Sequence, residues 1–458
     1  MTVAVDGARL AAVRVLQDVL EQGAYANLSS IRQLDQRNLT ARDRAFASAL
    51  IYGTISYLPA LDYLLGRVLD RPLEKLDPVI LTILRAGAWQ LYHAHAVPPS
   101  AAVNESVKLA QHLANPGAAK LVNACLRRLA APDRPVLPVN KPALAAGLSN
   151  ELFGYLKKWY GLEEAMALAT AALENLATTT VRVNLCRSTV ELVQKSLSEE
   201  GIESEPGLYC PEALRLDLNG HSIRSLSAFQ EGLITAQDEA AMLVAHIADP
   251  KPGWRVIDLC AAPGGKTTHV AETMNDQGQI LALDLSAARL ALVDDQANRL
   301  GLNAIRTAVA DATATDWTHD LIGQADLVLA DVPCSGLGLL ARKPEIRLTM
   351  THEKITGLIP LQHQILLNAA TLVRPGGVLV YSTCTINPDE NIRQVEQFLA
   401  TQQGKTFQLE TIVPSLPEPL LKDPKLARSA ADGWIQLLPH RHHTDGFFMA
   451  RLRRQLSD

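Results

Sequence analysis

Apolar and polar positions along the chain follow three successive patterns. Over residues 1–130 the apolar positions recur at helical spacing. Leu10, Val13, Leu16, Val19 and Leu20 line one face of Ala8–Gln22. Arg42–Ser56, Ala60–Leu69, Asp77–His93, Ser100–Leu113 and Ala118–Leu129 repeat that period. Pro72, Pro78, Pro98, Pro99 and Pro116 punctuate the segments. No alternating strand pattern interrupts them, so residues 1–130 are expected to form an all-helical domain.

Pro132, Pro135, Pro138 and Pro142 fall within residues 131–142, a density that predicts a semi-rigid linker. A connector is expected over 143–234. It begins with helix from Leu144 to Asn175, then a strand Thr178–Leu185, a helix Val190–Glu200 and a short strand Leu214–Leu218. The pattern changes again at 235. Apolar runs at Arg255–Leu259, Gln279–Leu283, Ile305–Val309, Leu327–Ala330 and Val378–Ser382 alternate with helical stretches Thr267–Met274, Ala287–Leu300 and Leu361–Val373. Strands apolar on both faces and separated by helices predict a parallel sheet covered on both sides, here over 235–458. Trp434–Pro439 and Gly446–Leu452 read as an antiparallel edge hairpin.

Charge and cysteine usage narrow the class. The net charge is −5, which by itself argues against nucleic acid. It is uneven, however: residues 1–145 hold 16 Lys+Arg against 11 Asp+Glu. A basic module beside an acidic catalytic half fits that asymmetry. The six cysteines include no C-x-x-C pair, so neither a disulfide framework nor structural zinc is expected, and a reducing cytoplasm is. No stretch reaches membrane-span length, and Met1–Leu20 reads as an amphipathic helix.

The chemistry sits at strand ends. Asp258 ends the first strand of the parallel pattern, and Cys260, Ala261, Ala262, Pro263, Gly264, Gly265 and Lys266 lead into the next helix. A P-loop would need Gly at the position of Cys260, and the G-x-G-x-x-G spacing is missing. Asp284 ends the second strand, 20 residues after Gly264, where an acid can accept from a ribose diol. Asp311 follows the third strand and could hold the adenine end. An acid beside a ribose, without a phosphate cradle, favours S-adenosylmethionine. The competing assignment makes Asp258, Asp284 and Asp311 helix caps.

Asp331-Val332-Pro333-Cys334 follows the fourth strand and Thr383-Cys384 the fifth, so both thiols should emerge at the cofactor edge. Two thiols there suit a pyrimidine target. A thiolate adding to carbon 6 makes carbon 5 nucleophilic, so that it can accept a methyl group; loss of the carbon-5 proton then expels the thiolate. Asp331 could hydrogen-bond the cytosine edge. A duplex hides that face, so a single-stranded, looped or flipped base is expected.

These motifs resemble those of the Sun (Fmu) family of RNA 5-methylcytosine methyltransferases. The resemblance covers nearly the whole chain. It includes Gln237-Asp238-Glu239-Ala240, the loop Cys260–Lys266, Asp284, Asp311, Asp331–Gly336, Arg374–Gly377, Tyr381–Thr385 and Asp445–Phe448. It implies Cys384 as the nucleophile and Cys334 as the thiol that assists release, with the reverse assignment open because DNA cytosine methyltransferases use the Pro-Cys thiol. It implies that the loop, Asp284, Asp311 and Asp331 bind the methyl donor and that Lys266 steadies Asp331 or the base. The amino-terminal domain is similar to the RNA-binding NusB domain, and the connector resembles a small RNA-recognition-like subdomain. The implied substrate is 16S ribosomal RNA, with transfer RNA as rival; a monomer without metal is expected. One departure is that Ala341-Arg342-Lys343-Pro344 lacks the paired arginines of the family pattern.

Candidates for RNA phosphate contacts are Arg42, Arg44, Arg127, Arg128, Arg134, Lys141, Arg342 and Lys343. Lys157-Lys158-Trp159-Tyr160 could stack a base, though core packing of its rings is the simpler reading. Two other classes remain: an RNA-binding antitermination factor with an inert methyltransferase fold, and an ATPase with a degraded P-loop.

Overall fold

The computed structural model describes residues 5–35, 37, 39–174, 179–315 and 317–456. The ends of four sequence segments, at 1–4, Asn175, Thr178 and 457–458, lie outside the described residues. Chain contacts separate two compact units. One holds residues 1–176, 219–221 and 340–351, the other 177–218, 222–339 and 352–458.

The first unit is helical, and its helices start where the sequence satisfies their free N–H groups. Asp6 caps Gly7–Gln22 by accepting from Arg9 N at 2.7 Å. Asn115 caps Pro116–Leu129 through Ala118 N at 2.9 Å, and Asp77 caps Pro78–His93 through Val79 N at 2.9 Å. Such caps stabilise a helix by about 1 kcal/mol each. Pro78, Pro99 and Pro116 each take the first helical position, where a missing N–H costs nothing. Leu16, Leu50, Ile51, Leu61, Ile83, Val122 and Leu126 form the centre of the core. A helix over Ala26–Asp35, which the periodicity does not mark, packs beside the first. Asn150–Tyr160 and Leu162–Glu174 complete the helical set, and Tyr155 stacks on Trp159 with ring centroids 5.2 Å apart. The segment 340–351 joins this unit through buried Arg347, whose guanidinium donates to the carbonyls of Leu340 at 2.7 Å and Ala172 at 3.3 Å.

The second unit contains two sheets. The smaller is antiparallel. Its strands are β1 (Thr179–Val183), β2 (Glu203–Pro206), β3 (Ala213–Asp217) and β4 (Ile234–Ala236), in the order β2-β3-β1-β4. With the helix Val190–Glu199 it buries Val181, Val193, Leu197, Leu214 and Ile234. β2 and β4 were not evident from the pattern; both are short, and β2 is mostly exposed.

The larger sheet carries β5 (Arg255–Asp258), β6 (Gln279–Asp284), β7 (Ile305–Val309), β8 (Ala325–Asp331), β9 (Val373–Thr383), β10 (Phe407–Leu409), β11 (Trp434–Leu437) and β12 (Phe447–Arg454). Its order is β10-β12-β9-β8-β5-β6-β7, with β11 paired to β12. β5 to β9 are mutually parallel, as expected, and β12 runs antiparallel to β9. The hairpin contains a single helical turn, Pro439–His442, that the strand pattern did not show. It joins the sheet through β12, whose other side pairs with the unanticipated β10. Fully buried Leu327, Leu329, Val378 and Val380 face one apolar layer, and Val328, Leu379 and Tyr381 face the other. Burial on both faces is why these strands read as unbroken apolar runs. Among the described residues, no helix is long and apolar enough to cross a membrane.

Candidate active site

Asp331 and Ser382 are partners in the β8–β9 ladder. Parallel neighbours lie about 4.8 Å apart, so the chains leaving their carboxyl ends stay close. Cys334 lies three residues beyond Asp331 and Cys384 two beyond Ser382. Their Sγ atoms stand 3.3 Å apart. The loops are tied together: Val332 N donates to Ser382 O at 3.1 Å and Gly338 N to Cys384 O at 3.1 Å. The hydrogen bond with Cys384 and then burial push the Cys334 thiol well above its ordinary value, with Glu390 and Asp331 adding to the effect. These surroundings disfavour a Cys334 thiolate.

Lys266 reaches the same edge from the start of the helix Gly265–Thr273. Its Nζ meets Asp331 Oδ2 at 2.7 Å and lies 5.0 Å from the centroid of the Phe447 ring. Burial alone would lower the ammonium's pKa, but Asp331, with Cys384 and Asp258, raises it above the usual lysine value. Ser382 Oγ donates to the other Asp331 oxygen at 2.8 Å. The carboxylate is thus fixed from two sides, beside the thiols.

The loop before that helix lines a cavity of about 140 Å³, with Gln237, Ala241, Asp258, Cys260, Ala261, Ala262, Pro263, Gly265, Lys266 and Asp331 on its walls. Gly264 turns the loop at φ 105°, a region closed to most side chains. Asp258 is buried and accepts from Thr267 Oγ1 at 2.7 Å; burial raises its carboxyl to about 6. Burial, with Asp258, Asp331 and Asp284 around it, pushes the Cys260 thiol far up and disfavours a thiolate on this cavity wall.

Two of the expected acids stand apart from these walls. Asp284 is buried; it accepts from Ser286 N at 3.0 Å and pairs with Arg289 at 3.1 Å, while Arg289 also reaches Ala262 O at 2.8 Å. Asp311 is exposed and takes the N–H and hydroxyl of Thr313 at 2.8 and 2.6 Å, bonds that lower its pKa. Neither is the N-cap of a following helix: Ser286 caps Ala287–Leu300, and the Asp311 carboxylate bonds the turn residue Thr313.

Two residues go unassigned in the sequence reading. Arg182, on β1, is fully buried. It grips Glu272 with two bonds of 2.8 and 2.7 Å, donates to Gly265 O at 2.8 Å and bonds Gln237 Oε1. An arginine has only donors, so the Gln237 oxygen must face it. The Gln237 Nε2 is left buried without a partner, on a residue of the cavity wall. An orphaned donor in a cavity of this size suits the amino-acid end of S-adenosylmethionine; whole-ligand sites run to about 300–1,000 Å³. The second residue is Glu390, which accepts from Ser335, the residue after Cys334; Ser335 in turn bonds Thr385, the residue after Cys384. No motif pointed to either, because each acts through contacts between distant segments.

The RNA candidates divide. Arg42, Arg127 and Arg342 are exposed, and Lys343 is half-buried. Arg44 donates to Leu34 O at 3.2 Å, Arg128 to Val68 O at 2.5 Å and Arg134 to Leu91 O at 2.8 Å, with Arg134 also 4.3 Å over the Tyr92 ring. Lys141 lies 5.0 Å over Tyr63. These contacts tie the four to the helical unit, while Arg128, Arg134 and Lys141 remain exposed at its surface. Among the described residues, Cys210, Glu212 and His246 offer metal-type ligand atoms within 4.8 Å of one another. His246 and His269 already bond Glu212, at 2.8 and 3.1 Å, so the carboxylate is satisfied without an ion.

The parallel sheet, the loop at β5 and the acids at the strand ends define an S-adenosylmethionine-dependent methyltransferase. Comparisons with known proteins agree. Residues 245–453 match the 16S rRNA methyltransferase RsmB/F model, residues 6–131 the NusB family and residues 152–221 the RsmF/B-like ferredoxin-like domain. The probable ribosomal RNA small subunit methyltransferase B of Synechocystis sp. is 36% identical over 98% of this chain and 99% of its own. That of Bacillus subtilis is 34% identical over 95% and 96%. The crystal structure of PH0851 superposes with a TM-score of 0.85 at 26% identity, covering 99% of this chain and 100% of that one. NSun6 from Pyrococcus horikoshii with SFG gives 0.58 at 25%, over 68% and 99%. The chain belongs to the ribosomal RNA small subunit methyltransferase B family.

Proposed function

We propose that this enzyme methylates carbon 5 of an unpaired cytosine in 16S ribosomal RNA through a transient bond to Cys384. The observation that carries the reading is the 3.3 Å approach of two thiols beside the Lys266–Asp331 pair. S-adenosylmethionine supplies the methyl group; Gln237, Asp258 and the loop Cys260–Lys266 would hold it, with Asp284 and Asp311 toward its nucleoside end.

The remaining steps belong to the chain and the base. Two sulfurs at this distance titrate as a pair, and the raised Cys334 thiol favours keeping the proton there. Cys384, the sulfur that interacts with the Lys266 ammonium, is assigned the attack. Its electron pair adds to carbon 6, and Asp331 meets the polar edge of the ring. Carbon 5 then accepts the methyl group and loses its proton to water. The carbon–sulfur bond breaks, its electrons return to Cys384, and the Cys334 S–H stabilises the departing sulfur. The opposite roles would need an anionic Cys334, which its surroundings disfavour.

Arg42, Arg127, Arg342 and Lys343 are the proposed phosphate contacts. The proposed setting is the cytoplasm, with the chain acting as a monomer and without a metal. Mapping 5-methylcytidine in 16S ribosomal RNA from cells with and without the gene tests the reading. One methylated cytosine should vanish with the gene. Loss from transfer RNA alone would favour the rival substrate, and no loss anywhere would favour a binding protein.

A further inference from the structure

Glu390 is fully buried on the loop between β9 and the helix Ile392–Ala400. Four donors converge on its two oxygens. They are Ser335 N at 2.8 Å, Ser335 Oγ at 2.6 Å, Gln362 Nε2 at 2.9 Å and Asn387 Nδ2 at 2.9 Å. Ser335 follows Cys334 directly, and Thr385 follows Cys384. The two hydroxyls are 2.7 Å apart. Since the Ser335 proton points to Glu390, Thr385 must donate to Ser335. A continuous chain of hydrogen bonds therefore runs from one cysteine loop to the other and ends on Glu390. Gln362 Nε2 also donates to Pro333 O at 2.9 Å, and Tyr381 Oη donates to the Glu390 carbonyl at 2.7 Å. Ser335, Gln362, Tyr381, Thr385, Asn387 and Glu390 are all buried, where hydrogen bonds are strong and an unmade one is costly.

We infer that Glu390 is a positioning residue: it sets the separation of the Cys334 and Cys384 thiols by locking the residue after each into one buried network. The inference rests on the two-thiol reading above, but it concerns geometry and can be tested without RNA. A carboxylate is the group that fits, because the site offers only donors to it. Glutamine keeps the shape and turns an NH₂ toward those donors.

The test is the effective concentration of the two thiols, measured in glutathione buffers. Glutathione disulfide oxidises the pair and is reduced to two glutathiones, while mass spectrometry counts the Cys334–Cys384 disulfide. Glu390→Gln should lower the effective concentration at least tenfold. Affinity for S-adenosylhomocysteine should stay within twofold, a result a general loss of folding would not give. If methyl transfer is assayed, the covalent RNA complex should decay more slowly than in wild type. Should Glu390→Gln fail to fold, Thr385→Val removes one link of the chain and should show the same direction with a smaller drop. An effective concentration unchanged in the folded variant overturns the inference. Failure of wild type to methylate RNA, with the disulfide result as expected, would fault only the functional reading.

Discussion

The sulfurs of Cys334 and Cys384 touch at 3.3 Å although they are 50 residues apart in the chain. The contact follows from strand order. β8 and β9 are parallel neighbours, so both loops open at one sheet edge. A βαβ crossover is what brings distant residues to such an edge. Asp331 ends β8 itself, and Lys266 arrives at the same edge from the start of the helix Gly265–Thr273.

Arg182 should be a stability residue as much as a site residue. Its side chain is 0% exposed and that of its partner Glu272 is 5% exposed. Removing one member of a buried pair leaves an uncompensated charge and costs about 3–5 kcal/mol. Arg182→Met is expected to lower the unfolding free energy from denaturant titration by that amount, and Arg182→Met with Glu272→Met to recover most of it. A single variant as stable as wild type would contradict the role.

Gln237 should report which end of the cofactor enters the cavity. Its Nε2 is the orphaned donor on the wall. Losing one hydrogen bond to a charged group costs about 1.5–3 kcal/mol, so Gln237→Leu should weaken S-adenosylhomocysteine binding by about 10-fold or more in calorimetry. Methylthioadenosine lacks the amino acid and should bind both proteins alike. Equal weakening of both ligands would place the amide against the nucleoside instead.

Asp258 gives a pH signature. Its folded carboxyl is raised to about 6 by burial, against about 4 when unfolded. The folded state therefore binds the proton more tightly, and the group's contribution to stability grows as pH falls from about 6 to about 4. Above that window the buried charge costs roughly 3 kcal/mol at most. Wild type should gain stability relative to Asp258→Asn on going from pH 7 to pH 5, measured by denaturant unfolding. A difference flat in pH would show that Asp258 is already ionised at pH 5.

Much of this was legible beforehand because the signals are local. The periods separate helical and parallel regions, and the cofactor loop, Pro333-Cys334 and Thr383-Cys384 occupy short stretches at strand ends. What was not legible is long-range. Arg182 looked like one polar position in an apolar strand, yet its partners lie 55 to 90 residues on. Glu390 sat in a polar loop with nothing to show that Ser335 would reach it. Arg128 and Arg134 stand out in the sequence as cations, but not the carbonyls of Val68 and Leu91 that each also reaches. β2 and β4 are too short, and β2 too exposed, to leave a period.

The central claim is that Cys384 bonds the base and Cys334 helps it leave. The direct measurement is a denaturing gel of enzyme, labelled target RNA and S-adenosylmethionine, with the linked residue found by mass spectrometry. Cys334→Ala should accumulate an RNA-linked protein joined through Cys384, and Cys384→Ala should give neither complex nor methylated product. A complex trapped by Cys384→Ala and joined through Cys334, or normal turnover by Cys384→Ala, would contradict it.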